Sequence, residues 1–178
     1  MEQFDVARGL IKKITESGGL VEVMQRHFND IDGVRISEID GVNSVLLEEP
    51  AYLPNVRVSY TVRGLLQVDG EQAKPDFSDN DAVRRAQMSR AAWTSFLDES
   101  TGYDGKKRGD KAKERVKRRA KSMSRVNEWN SYIEKVSHID DDVLEQGQAL
   151  IEEIESALSD EDITKAFGRS EKLSKLMG

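Results

Sequence analysis

The chain has 178 residues, 37% hydrophobic and 34% charged, with a net charge of −6; this size and balance point to one domain, or one small domain with an appendage, around a modest core. It contains no cysteine, which excludes a disulfide framework, thiolate zinc sites and cysteine nucleophiles, and agrees with a reducing, cytoplasmic location. The first 25 residues carry early acids and no continuous apolar run, so they do not read as a signal peptide, and no stretch approaches the roughly 18–20 apolar residues of a membrane span.

Two helical patterns open the chain. Phe4, Ala7, Leu10, Ile11 and Ile14 recur at helical spacing until Ser17-Gly18-Gly19. Leu20, Val23, Met24, Phe28 and Ile31 resume the period and stop at Asp32-Gly33. The period then falls to two. Val34, Ile36 and Ile39 precede Asp40-Gly41, and Val42, Val45, Leu46 and Leu47 follow it. Asp-Gly between apolar runs predicts a hairpin, because both turn positions tolerate positive φ. Pro50 and Pro54 bracket a connection. Val56, Val58, Tyr60 and Val62 then alternate with Arg57, Ser59, Thr61 and Arg63, the pattern of a strand with one buried face. Leu65, Leu66 and Val68 continue after a bend at Gly64. The front half thus predicts two helices followed by a three- to four-stranded antiparallel sheet.

Residues 71–78 read as a connector. Ser78, with Asp81 three residues on, predicts a helix start, and Ala82, Ala86, Trp93 and Phe96 share one face of that helix. Thr101 to Gly109 holds three glycines and reads as a loop, with Asp110 capping the next helix. That helix is the longest. Ala112, Val116, Ala120, Met123, Val126, Trp129, Ile133 and Val136 recur at intervals of three and four, which predicts its buried stripe. Asp140, Asp141 and Asp142 begin another helix with Val143, Leu150, Ile154 and Leu158 facing inward. Ser159 with Asp162 starts a last one carrying Ile163, Phe167, Leu173 and Leu176. The expected fold is α+β: a helix–helix–sheet module over 1–77 and an all-helical extension over 78–178, with a long helical hairpin.

Charge is sorted along this plan. Residues 1–80 carry a net −6, residues 81–125 a net +8 and residues 126–178 a net −8. The basic stretch points to nucleic acid, because cations presented in rows neutralise phosphates and release counterions. The expected contacts are Lys106, Lys107, Arg108, Lys111, Lys113, Lys117, Arg118 and Lys121, with Tyr103 in the glycine loop stacking on a base. Trp93, Trp129 and Tyr132 also flank this stretch, but their helical spacing assigns them to the core. Arg115, Arg119 and Arg125 belong to the same run. The competing expectation is that Glu145, Glu152, Glu153, Glu155, Asp160, Glu161 and Asp162 lie against the basic helix and neutralise it. In that case the segment from Lys106 to Lys113 stays unpaired.

Other chemistries find little support. Gly102-Tyr103-Asp104-Gly105-Lys106-Lys107 has two residues between its glycines where a nucleotide loop needs four, and no Ser or Thr follows the lysine. His27 and His138 are too few and too far apart for zinc. Asp140 to Asp142 suits a helix start better than magnesium, and no window has calcium-loop spacing. No serine sits in a glycine-framed elbow. The expectation is a non-catalytic binding protein without cofactor or metal, associated with nucleic acid or with an acidic protein surface. The rival expectation is a structural component of a homo-oligomer or larger assembly, such as a viral particle or a multisubunit machine. Neither involves a membrane.

Overall fold

A computed structural model describes residues 1–136 and 138–178. It is α+β, with six helices and one five-stranded antiparallel sheet among the described residues. In chain order the elements are β1 (Glu2–Asp5), α1 (Leu10–Glu16), α2 (Gly19–Phe28), β2 (Arg35–Glu38), β3 (Ser44–Glu49), β4 (Leu53–Tyr60), β5 (Leu65–Gly70), α3 (Asn80–Thr101), α4 (Gly105–Lys135), α5 (Asp141–Ser159) and α6 (Ile163–Leu176). They form two compact units, Met1–Lys111 and Ala112–Gly178, and the division falls within α4.

The first unit is built on the sheet, in the order β1-β5-β4-β3-β2. The expected β2–β3 hairpin is present, with Glu38 opposite Val45 and Gly41 at φ 91° in its turn. The alternation over β4 holds through Val56 and Val58, both buried. The strand ends at Tyr60, however. Thr61 to Gly64 is a turn closed by the Gly64 N–H donating to the Thr61 carbonyl at 2.9 Å, so Val62 stands in solvent. Pro54 lies inside β4 rather than in the connection before it.

Residues 2–5 correct the helical reading of the N-terminus. They form an edge strand that pairs Phe4 with Leu66 of β5, and α1 begins only after Gly9, which holds φ 79°. Strand pairing here overrides a helical spacing shared by only a few residues. Gly19 is required for a different reason. Its φ is 77°, and a Cβ there would stand 2.0 Å from the Val42 carbonyl oxygen. That close approach lets Leu20 N–H donate to the same carbonyl at 2.7 Å, seating α2 on the β2–β3 loop.

The core of this unit joins Leu20, Val23, Met24 and Phe28 of α2 to Val45, Leu47, Leu53, Val56, Val58 and Leu66 of the sheet. Trp93, Phe96 and Leu97 of α3 complete it. Each such side chain contributes about 1.5–3 kcal/mol on burial. α3 therefore belongs with the sheet, and the compact unit extends to Lys111 instead of closing at residue 77. Its N-cap is Asp79, whose carboxylate accepts from Asp81 and Ala82 N–H; Ser78, the expected cap, instead donates to Asp76.

The second unit packs α5 and α6 with α4 residues from Ala112 onward. Trp129, Ile151, Ile154, Ala157, Ala166 and Leu173 form its core. Trp129 lies flat against the backbone at Gly147, where a Cβ would come within 1.9 Å of the indole. Asp140 takes the N-cap position of α5, with Asp141 and Asp142 in the first turn, where carboxylates favourably oppose the helix dipole. Asp162 caps α6 by accepting from Lys165 N–H at 2.9 Å.

One buried carboxylate holds the β3–β4 hairpin of the first unit. Glu49 is 1% exposed and accepts from the N–H groups of Ala51 and Tyr52 at 2.8 Å and of Leu53 at 3.2 Å. It organises the turn into β4 around Pro50. Hydrogen bonds to a charged group contribute about 1.5–3 kcal/mol each, with incomplete additivity. Glu49→Ala is expected to lower unfolding free energy by about 3 kcal/mol in urea titration; an unchanged midpoint would remove Glu49 from this role.

Candidate nucleic-acid interface

The basic residues divide between the two units, and each set is described in its own unit. In the first, α3 ends at Thr101. Gly102, in the left-handed conformation at φ 70°, donates its N–H to the Asp98 carbonyl at 2.9 Å. The expected glycine loop over 101–109 shrinks to Gly102–Asp104, because Gly105 and Gly109 are helical. Asp104 caps the new helix, accepting from Lys107 N–H at 2.7 Å, so Asp110 is an interior residue rather than a cap. This is a helix-to-helix turn, which also removes the strand that a nucleotide loop requires.

Three of the expected contact residues are engaged at this turn. The Arg108 guanidinium pairs with Asp98 and donates to the Tyr103 carbonyl at 2.7 Å, and its side chain is 9% exposed. The Lys107 ammonium lies over the Tyr103 ring, 5.1 Å from its centre. Tyr103 is therefore half-buried under a cation of its own chain. Lys106 is exposed.

In the second unit, the expected apolar stripe of α4 is buried only in part: Trp129 is buried and Val126 packs against the core. Val116, Met123 and Ile133 are 69%, 52% and 39% exposed. The residues turned inward are Ser122, Arg125 and Trp129. The reason is Phe167 on α6. The cationic groups of Arg118, Lys121 and Arg125 lie 5.4, 5.5 and 5.5 Å from its ring centre. Arginine can bury its stem and stack its planar head on a ring face, so a basic position can be a core position. Arg125, 8% exposed, also donates to Ser170 Oγ at 3.3 Å and pairs with Glu171. Lys121 approaches Glu171 at 3.7 Å, and Arg118 pairs with Glu114 one turn away at 2.5 Å.

Glu171 meets the basic helix at Arg125 and Lys121, and Glu153 pairs with Arg169 of α6. Glu145, Glu152 and Glu155 face solvent. Lys113, Lys117 and Arg119 are exposed along α4, and Lys111 is half-buried.

A family model described as "Domain of unknown function (DUF5611)" matches residues 1–114. The chain belongs to this family. Comparisons with curated proteins and with solved structures found no match. The DUF5611 match ends three residues beyond Lys111, close to the limit of the first compact unit. The DUF5611 domain therefore carries the sheet, α1 to α3 and the Tyr103–Arg108 turn, whereas Lys117, Lys121, Arg125 and the acidic helices lie beyond it.

Within the DUF5611 domain, His27 Nε2 and Arg26 both meet the Glu99 carboxylate at 2.7 Å, tying α2 to α3. Tyr60 donates to the Ser100 carbonyl at 2.7 Å, and burial, with the Glu99 charge, pushes its hydroxyl well above the ordinary range. Among the described residues no three His, Cys, Asp or Glu groups converge as a metal site, and no helix is long and apolar enough to cross a membrane. A groove of this domain, about 650 Å³, mixes Asp30 and Asp32 with Lys74, Arg84 and Arg85 and selects no single ligand charge.

The engagement of Arg125 has a pH signature. Its hydrogen bond, followed by its charge and that of Lys121, holds the Glu171 carboxyl below its ordinary range against partial desolvation. A lowered folded-state pKa contributes stability above the unfolded value, about 4.3, which is lost as pH falls through the folded value. The melting midpoint is expected to drop more steeply below about pH 4 in the wild type than in Glu171→Gln. Superimposable acid profiles would mean that this pair contributes nothing.

Proposed function

We propose that this protein is a non-catalytic, cytoplasmic binding protein that associates with nucleic acid through the outward cations of α4. The observation that carries the reading is the division of the basic run. Arg108 and Arg125 are largely buried, whereas Lys113, Lys117 and Lys121 recur every fourth residue along one stripe and keep their exposure, Lys121 while also approaching Glu171 and the Phe167 ring. Lys113 and Lys117 are exposed, and the Lys121 side chain retains 56% exposure. Four residues rise about 6 Å along a helix axis, so the three cations stand in a row that can follow the phosphates of a nucleic-acid backbone. The row offers charge at regular intervals without base-reading groups, so the expected mode is backbone contact with little sequence preference.

Affinity for short DNA and RNA oligomers should fall with salt at a slope of about −2.7 for three duplex phosphate contacts. Lys117→Glu should weaken binding and reduce that slope by about 1, with an unchanged melting temperature. The measurement is fluorescence anisotropy between about 50 and 200 mM salt. Absence of saturable binding to either polymer at the low end defeats the proposal.

A further inference from the structure

The second unit carries another pair of outward surfaces, which share only Lys117 with the proposed phosphate stripe. On α4, Val116 and Met123 stand two turns apart and largely exposed. At about 100° per residue they lie roughly opposite Arg125 and Trp129, which enter the core. Lys117 and Arg119 flank this strip; both are exposed and make no ion pair or hydrogen bond among the described residues. On α5, Glu145, Glu152 and Glu155 project into solvent on the side away from Ile151, Ile154 and Ala157, likewise without a partner among the described residues. Leu144 is 37% exposed beside them. One outward surface is therefore cationic with an apolar centre, and the other is anionic with an apolar margin.

We propose that the occupant of the α4 strip is a second copy of this chain, which presents its acidic α5 face to it. Charge complementarity selects this pairing. Like-on-like contact, α4 on α4 or α5 on α5, would set unpaired charges of one sign against each other, a juxtaposition that disfavours both like-on-like pairings. A twofold pair satisfies both faces of each copy at once, whereas in a head-to-tail contact one copy keeps its α4 face and the other its α5 face for further neighbours. Such heterologous contacts form rings where the rotation closes and open chains where it does not. Two exposed helix faces make a small interface, below about 1,200 Å². The association is therefore weak, driven by Val116 and Met123 at its centre and aligned by the flanking charges. Charges exposed at a rim are screened by salt, with a Debye length of about 10 Å at 0.1 M.

The test is sedimentation velocity on nuclease-treated protein, so that bound nucleic acid cannot bridge copies. At about 0.05 M salt the weight-average mass should rise above 20.1 kDa with protein concentration, and at about 0.5 M it should fall back. Lys117→Glu with Arg119→Glu should be monomeric alone, as should Glu152→Lys with Glu155→Lys. An equimolar mixture of the two should associate again, because each reversed face then meets its complement. Val116→Ser with Met123→Ser, which leaves all charge in place, should weaken association by about tenfold through lost apolar burial. Circular dichroism on each variant separates a lost contact from a lost fold. A wild-type chain that stays monomeric at low salt overturns the proposal. So does association that persists in both charge-reversed variants, or a mixture of folded variants that does not associate.

Discussion

Arg125 is almost fully buried, and a buried guanidinium has to be paired and hydrogen-bonded or its unit does not close. That requirement organises the second unit. The Phe167 ring, the Ser170 hydroxyl and the Glu171 carboxylate all come from α6 and converge on it. Meeting them turns the Arg118, Ser122, Arg125 and Trp129 side of α4 inward. Val116 and Met123 are thereby turned outward, together with Lys117 and Arg119. Which cations are available to a partner thus follows from where one arginine has to go. The first unit repeats the principle on a smaller scale, where Arg108 is taken up by Asp98 and the Tyr103 carbonyl.

Much of the fold was legible because its local signals agree with its tertiary contacts. The Asp40-Gly41 turn, the alternation over Val56 and Val58, and the acidic start of α5 each have a local cause that survives packing. β1 was not legible. Its four residues carry no alternation strong enough to outweigh a helical spacing with Leu10 and Ile14, and its identity as a strand comes from pairing with β5, sixty or more residues away. The place of α3 was likewise hidden. The 3.6-residue period shows that Trp93 and Phe96 face a core, but not that the core is the sheet's.

The candidate site was legible in composition and misread in facing. Counting the apolar residues of α4 gives a regular stripe, and the rule that apolar positions face inward then places the cations outside. The rule fails where an aromatic ring and a carboxylate from another helix can receive guanidinium groups. A signal was present: Arg118, Ser122, Arg125, Trp129 and Tyr132 recur at intervals of four, three, four and three, and include both aromatic residues of the helix. The glycine loop was misread for a simpler reason. Asp104 supplies an N-cap that starts the helix at Gly105, and a good cap offsets much of the helical cost of the glycines.

The central claim is that burial sorts the arginines of the basic segment into internal and outward ones. An arginine-selective dicarbonyl reagent, applied to the native chain with modified sites mapped by mass spectrometry, reads this directly. Arg119 is expected to react well before Arg108 and Arg125, and unfolding should erase the difference. Equal reaction rates for Arg119 and Arg125 in the native protein would contradict the account.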